Sequence, residues 1–188
     1  MYSITLKIRD IADKLQTALA NVCLRWKATA ETGEYIEARP TIYSYTYDDM
    51  DGETPLHTPC ALVQCLSLDG SGNAAFVVHC AVCNPATQDM EKAADPDGDG
   101  IYHYSRSPRY TSAGTRSELY RATLLLAEYI FYSIQRLADD GEPISEITLN
   151  TPSPYMESFP YCECTVTFNL TIAADIRGRN GSRLCEML

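Results

Sequence analysis

The sequence predicts an α+β fold, a mostly antiparallel or mixed β-sheet backed by two α-helices. Two apolar stripes of helical spacing and a set of alternating strands point that way. So does their order: helix, several strands, a long polar stretch, a second helix and a closing strand pair. The 188 residues suit one domain with a sizeable core. That domain is expected to span residues 1–172, with a long loop insertion at about 84–114 and a flexible C-terminal tail over 173–188.

The first helix rests on Ile8, Ile11, Leu15, Leu19 and Val22, which recur every three or four residues with Lys7, Arg9, Asp13, Lys14 and Gln16 between them. Next comes a strand from Thr41 to Tyr47, with Tyr43, Tyr45 and Tyr47 on one face. Cys60 to Leu68 and Ala74 to Cys83 flank Asp69-Gly70-Ser71-Gly72-Asn73, turn chemistry that predicts a hairpin. The second helix buries Leu119, Ala122, Leu126, Ile130, Ile134 and Leu137. Ser117 serves as its N-cap, with Glu118 at the positive end of the dipole, and Gly141 and Pro143 stop it. Ile144 to Asn150 and Tyr161 to Ile172 close the fold as a strand pair. The last strand alternates Cys162, Cys164, Val166, Phe168, Leu170 and Ile172 with Glu163, Thr165, Thr167, Asn169 and Thr171. No internal repeat is visible.

Hydrophobic residues make up 45% of the chain and charged residues 21%, a globular balance. The net charge of −10 argues against bulk affinity for nucleic acid, which requires a basic surface to displace counterions. The N-terminus lacks a secretory pattern, and no apolar run approaches the roughly 20 residues that span a bilayer. A cytosolic protein is therefore expected, in which the 8 cysteines stay reduced and the sequons at Asn169 and Asn180 carry no meaning.

Each candidate site has a simpler explanation beside it. His79-Cys80-Ala81-Val82-Cys83 and Cys162-Glu163-Cys164 look like metal ligands. A zinc knuckle, however, turns both sulfurs toward one ion, whereas residues three apart in a strand face opposite ways. Cys162 and Cys164 share a face, but it is the apolar one, where a free cysteine packs as a small hydrophobe. Cys60 follows His57 by three residues, yet it opens a strand, without the helix N-terminus or cation that lowers a thiol pKa. Asp95-Pro96-Asp97-Gly98-Asp99-Gly100 resembles half of a calcium loop, but Arg106 stands where the bidentate Glu belongs. A solvated acidic turn explains it as well. Phosphate-loop and serine-hydrolase motifs are absent. The expectation is no catalytic, cofactor or metal residue. The long loop presents Tyr102, Tyr104, Arg106, Arg109 and Tyr110, residue types that dominate contact energetics. It is either an interaction loop or one that packs its tyrosines back on the domain.

The element order carries a resemblance. A short N-terminal helix, a strand leading into Pro59-Cys60-Ala61-Leu62-Val63-Gln64-Cys65, and a hairpin into Ala75-Phe76-Val77-Val78-His79-Cys80-Ala81-Val82 are followed by the helix around Glu118 to Ala127 and a closing hairpin. Over about residues 4 to 172 this pattern resembles the tail-terminator and tail-completion (head-tail joining) proteins of long-tailed bacteriophages and prophages. The long loop and the cysteine-rich strands depart from the usual pattern. The resemblance implies a structural protein that caps the tail tube as a ring, commonly of six subunits, stops tube growth and meets the head. The implied partners are further copies of the chain, the tail-tube protein and the head connector protein, with no sequence-specific nucleic acid and no membrane. The implied locations are the host bacterial cytoplasm during assembly and then the virion tail. The competing readings are a metal- or thiol-dependent protein using its Cys and His residues, and a binding module with no phage connection.

Overall fold

A computed structural model describes residues 4–27, 35–45, 58–83, 113–152 and 161–172. Its elements, in order, are α1 (Ile4–Ala18), β1 (Leu24–Lys27), β2 (Tyr35–Ala38), β3 (Thr41–Ser44), β4 (Cys60–Leu68), β5 (Asn73–Cys83), α2 (Ala113–Asp139), β6 (Ile144–Asn150) and β7 (Tyr161–Thr171). Five strands form one sheet in the order β3-β4-β5-β7-β6, and β1 pairs with β2 in a small second sheet. Within the large sheet β3 runs parallel to β4, and every other neighbour is antiparallel. The α+β prediction holds, down to a mixed sheet with two helices.

The helices supply one side of the core and the sheet the other. Ile8, Ile11, Ala12, Leu15 and Leu19 are buried from α1 and its exit turn, as are Leu119, Ala122, Leu126, Ile130 and Ile134 from α2. They meet Ala61, Val63, Phe76, Val78, Cys80, Val82, Cys162, Cys164, Val166, Phe168 and Leu170, the alternate residues of β4, β5 and β7. Phe76 and Phe168 face each other across β5 and β7 and stack at 5.3 Å between ring centroids. Val22 lies past the end of α1 and is only half-buried, and so is Leu137 at the far end of the α2 stripe.

Turn chemistry sets the ends of these elements. Asp69 Oδ1 accepts from the Ser71 and Asn73 backbone N–H groups (both 2.9 Å) and from Ser71 Oγ, which fixes the β4–β5 turn. At Gly72, with φ +89°, an added Cβ would lie 2.7 Å from the carbonyl oxygen of Ile172. Only glycine lets the turn approach the end of β7 so closely, and there Ile172 N–H donates to Gly72 O. Gly141, at φ +101°, caps α2 as expected. The Glu142 N–H donates to Leu137 O and the Gly141 N–H to Ala138 O, the paired bonds of a Schellman motif.

Several expectations need correction. Helix α2 begins at Ala113, so Ser117 lies inside it rather than at its N-cap, and the last two residues assigned to the long loop belong to the helix. The strand expected to run to Tyr47 ends at Ser44. Tyr45 takes φ +71° and turns out of the strand, so it does not extend the face of Tyr43, and its hydroxyl donates to the carbonyl oxygen of Thr5. Tyr47 lies outside the described residues. The β1–β2 sheet was not foreseen. Its inner residues Leu24 and Trp26 are buried in the main core, while Arg25 lies 4.0 Å over the Tyr35 ring on the outside. Arg121 Nη2 of α2 donates to Arg25 O at 3.0 Å and ties this sheet to the helix.

Candidate functional site

Of the residues singled out from the sequence, Tyr102, Tyr104, Arg106, Arg109 and Tyr110 lie outside the described residues, as do His57, His103, the acidic turn at Asp95 to Asp99 and residues 173–188. The described strands do place the cysteines. Cys80 faces the helices and pairs in register with Cys164 on β7. Cys83, an odd number of residues away, faces the other side of the sheet, as strand periodicity requires. Cys162 and Cys164 are both buried against the helices.

The surroundings of Cys60, Cys80 and Cys162 favour the neutral thiol. A hydrogen bond with Cys164 together with complete burial pushes the Cys80 thiol well above its ordinary range. Burial raises Cys162 as well, with a hydrogen bond from Thr123 opposing it. Cys60 is pushed up to about 12, first by burial and then by the nearby Glu163 and Cys83. A thiol in that state is protonated at neutral pH, the opposite of an activated nucleophile. Among the described residues no group of three His, Cys, Asp or Glu side chains gathers where it could hold a metal ion.

The densest charged cluster joins the first helix to the turn after the second. Lys14 Nζ lies 3.1 Å from Asp10 Oδ2 and contacts Glu142 Oε1, while Lys7 Nζ lies 3.4 Å from each of the two carboxylates. The Lys14 hydrogen bond holds the Glu142 carboxyl below its ordinary value, with Lys7 helping. Burial pushes Asp10 up, but Lys14 and Lys7 outweigh it and leave its carboxyl lowered. Lys14 is opposed by burial and still raised, because both carboxylates hold its charge. Two positive and two negative groups thus satisfy one another and fasten α1 to the Schellman turn.

Beside this cluster an open groove of about 580 Å³ runs between α1 and α2. Asp10, Asp13 and Thr17 line one wall; Tyr129, Tyr132, Arg136 and Asp140 line the other. Tyr132 is 64% exposed and Tyr129 41%, and the Tyr132 ring stands edge-on to Phe131 at 5.5 Å. Their spacing has a simple cause. Positions 129, 132 and 136 recur at helical intervals along one flank of the buried stripe of α2, and Asp140 follows at the same interval just past its end. Sequence reading passed over them because it followed the apolar stripe alone. Tyrosines repeating off that stripe, next to an arginine at the same interval, were the available signal.

The two edges of the large sheet differ in how their outward backbone groups are met. On β3, Gln16 of α1 reaches over, its Oε1 accepting from the Ile42 N–H at 2.8 Å and its Nε2 donating to Pro40 O at 3.4 Å. On β6 a bulge interrupts the pairing between Ser145 and Thr148, and Glu146 adopts φ +52°. A bulge is a common way of blunting an edge strand, and the Glu146 carboxylate turns back to accept from Asn169 Nδ2 of β7 at 2.6 Å. Beyond the bulge, Thr148, Leu149 and Asn150 pair regularly with β7 on their inner side, and no described strand pairs with their outer side.

No described helix is long and apolar enough to cross a membrane. No protein-family model matches the chain. No curated protein and no solved structure matches it either.

Proposed function

We propose that this protein works by assembly rather than catalysis, as a phage or prophage subunit that adds in a ring to the end of a tail tube, halts its growth and joins it to the head. The observation that supports the reading is how chemistry is distributed over the described residues. Cys60, Cys80 and Cys162 are buried, and their surroundings favour the protonated thiol. The clustered charges are committed to pairing two elements of the same chain. What faces solvent is a groove lined by tyrosines and charges, the composition of contact surfaces. The element order adds the resemblance to tail terminators.

In such a ring, contacts run head to tail and need two unlike patches on each subunit. The groove between the helices supplies one, and the loop bearing Tyr104 and Arg109 the other. An acidic chain of net charge −10 also suits a ring through which DNA passes, because phosphate contacts would retard the passage. The partners in this reading are further copies, the tail-tube protein and the head connector, and the setting is the host cytoplasm followed by the virion.

The test mixes the purified protein with the tail-tube protein encoded in the same phage or prophage and measures tube length by electron microscopy. Short tubes with extra density at one end are the expected result, and Tyr104→Ala or Arg109→Ala should restore longer tubes. Tubes that keep growing, with bare ends, would sink the proposal.

A further inference from the structure

We propose that the groove between α1 and α2 is the docking site for the chain's own C-terminal segment, residues 173–188, whose arginines pair with the carboxylates and tyrosines of its walls. The inference concerns the free chain and does not depend on the tail-terminator reading.

The first support is where the described chain ends. Thr171 N–H donates to Pro143 O at 3.0 Å, and Ile172 N–H is held by Gly72 O at 2.7 Å. Pro143 follows Asp140 by three residues, and Asp140 lines the groove. Three virtual bonds of about 3.8 Å put Pro143 within roughly 11 Å of that wall. The segment therefore leaves the sheet beside the groove. Arg177 is five residues past Ile172, a reach of about 17 Å. No long loop has to be closed for it to meet Asp140, so the entropy of bringing it there is small.

The second support is charge. In a chain of net charge −10, residues 173–188 carry Arg177, Arg179 and Arg183 against Asp175 and Glu186, and the arginines are grouped within 177–183 with no acidic residue between them. The groove offers Asp140 and Asp13, the latter only loosely met by Arg9 at 3.9 Å, against Arg136, while its Asp10 is already matched by Lys14 and Lys7. Lys14 is already paired with Asp10 and Glu142, which leaves it little positive field to repel an incoming guanidinium. Tyr129 and Tyr132 add exposed ring faces of the kind on which guanidinium groups stack. Glycines at 178 and 181 let the backbone lie close to a helix surface.

Limited trypsin digestion of the full chain, followed by mass spectrometry, reads the docking directly, because a docked arginine cannot enter the protease. Cleavage after Arg177, Arg179 and Arg183 should be at least tenfold slower in the wild type than in Tyr132→Ala and in Asp140→Lys. Both changes sit at exposed positions, and circular dichroism should show that the fold is kept. The protection should be the same at micromolar and at hundred-micromolar protein. Wild-type chain cut as fast as both variants would overturn the proposal. Protection that grows with protein concentration would overturn it too, since the occupant would then be the tail of a second copy.

Discussion

The two faces of the five-stranded sheet are built from the same strands, and along β7 they alternate residue by residue. Cys162, Cys164, Val166, Phe168 and Leu170 point toward the helices, and none is more than 6% exposed. Between them Glu163 is exposed, and Thr165, Thr167 and Asn169 are half-buried. On the far face apolar burial is sparser: Tyr43, Cys60, Leu62 and Ala81 form a small separate cluster, and Val77 and Cys83 are buried outside it. One face is thus held to a single packing by its neighbours, while much of the other is left to solvent or partners. The difference shows that a strand can carry the stability of a fold on its even residues and remain open to change on its odd ones.

The most damaging way to break the contrast is to place a charge on the covered face. Cys164→Asp buries a carboxylate beside Cys80 and against α2, with a cost on the order of 5 kcal/mol. Cys164→Ala loses only packing and should cost about 1–2 kcal/mol. Denaturant titration separates the two, and equal small losses would mean that the covered face had been misassigned. Phe168→Ala, which removes a ring stacked on Phe76, should cost about 3–5 kcal/mol, read as a shifted midpoint with an unchanged slope.

A smaller effect belongs to the Lys14 cluster, outside the sheet. Lys14→Met should cost about 0.5–1 kcal/mol at low salt and less at high salt, since Asp10 is 42% exposed and the pair is screened. The pH dependence follows from the directions of the shifts. Glu142 and Asp10 are lowered from 4.5 and 3.8, so their contribution is complete above those values and disappears as pH falls through the lowered ones. Lys14 is raised from 10.5, so its contribution holds below that value and is lost at higher pH. In Lys14→Met the decline in stability below pH 4.5 should be shallower than in the wild type. The smallest effect is expected on the open face: Thr167→Ala should change stability by no more than about 0.5 kcal/mol. A loss of several kcal/mol there would show that this face is as constrained as the other.

The long elements were legible because their periodicity is a direct record of burial. Strands β4 and β6 lie where alternation and turn residues placed them, and β5 starts one residue earlier, at Asn73. The β1–β2 pair was not legible. Four residues each are too few for a period to stand out, and what secures Leu24 and Trp26 is contact with the distant main core. The start of α2 was missed for a related reason: Gly114, Thr115 and Arg116 carry no apolar signal, so the reading began at the first residues that did. Thr123 is a third example. Its hydroxyl donates to Leu119 O one turn back and also to Cys162 O, which lets a polar side chain sit fully buried within the stripe. The groove between the helices was invisible because it depends on how two helices far apart in sequence are set side by side. The charges that fasten them, Lys7 and Glu142, are 135 residues apart.

The position of β5 has a consequence for how the chain is made. It lies at the centre of the sheet between β4 and β7, and the pairing on its β7 side includes the bond from Thr171 to Asn73 across 98 residues. Synthesis at about 5–20 residues per second leaves roughly 5–20 s between the emergence of these two residues. For that interval the most apolar strand of the protein has one bare edge, and its phenylalanine still lacks a stacking partner. A nascent chain in this condition is a substrate for chaperones and a template for mispairing. Slowing translation between β5 and β7 should therefore lower the yield of folded protein more than slowing it anywhere upstream.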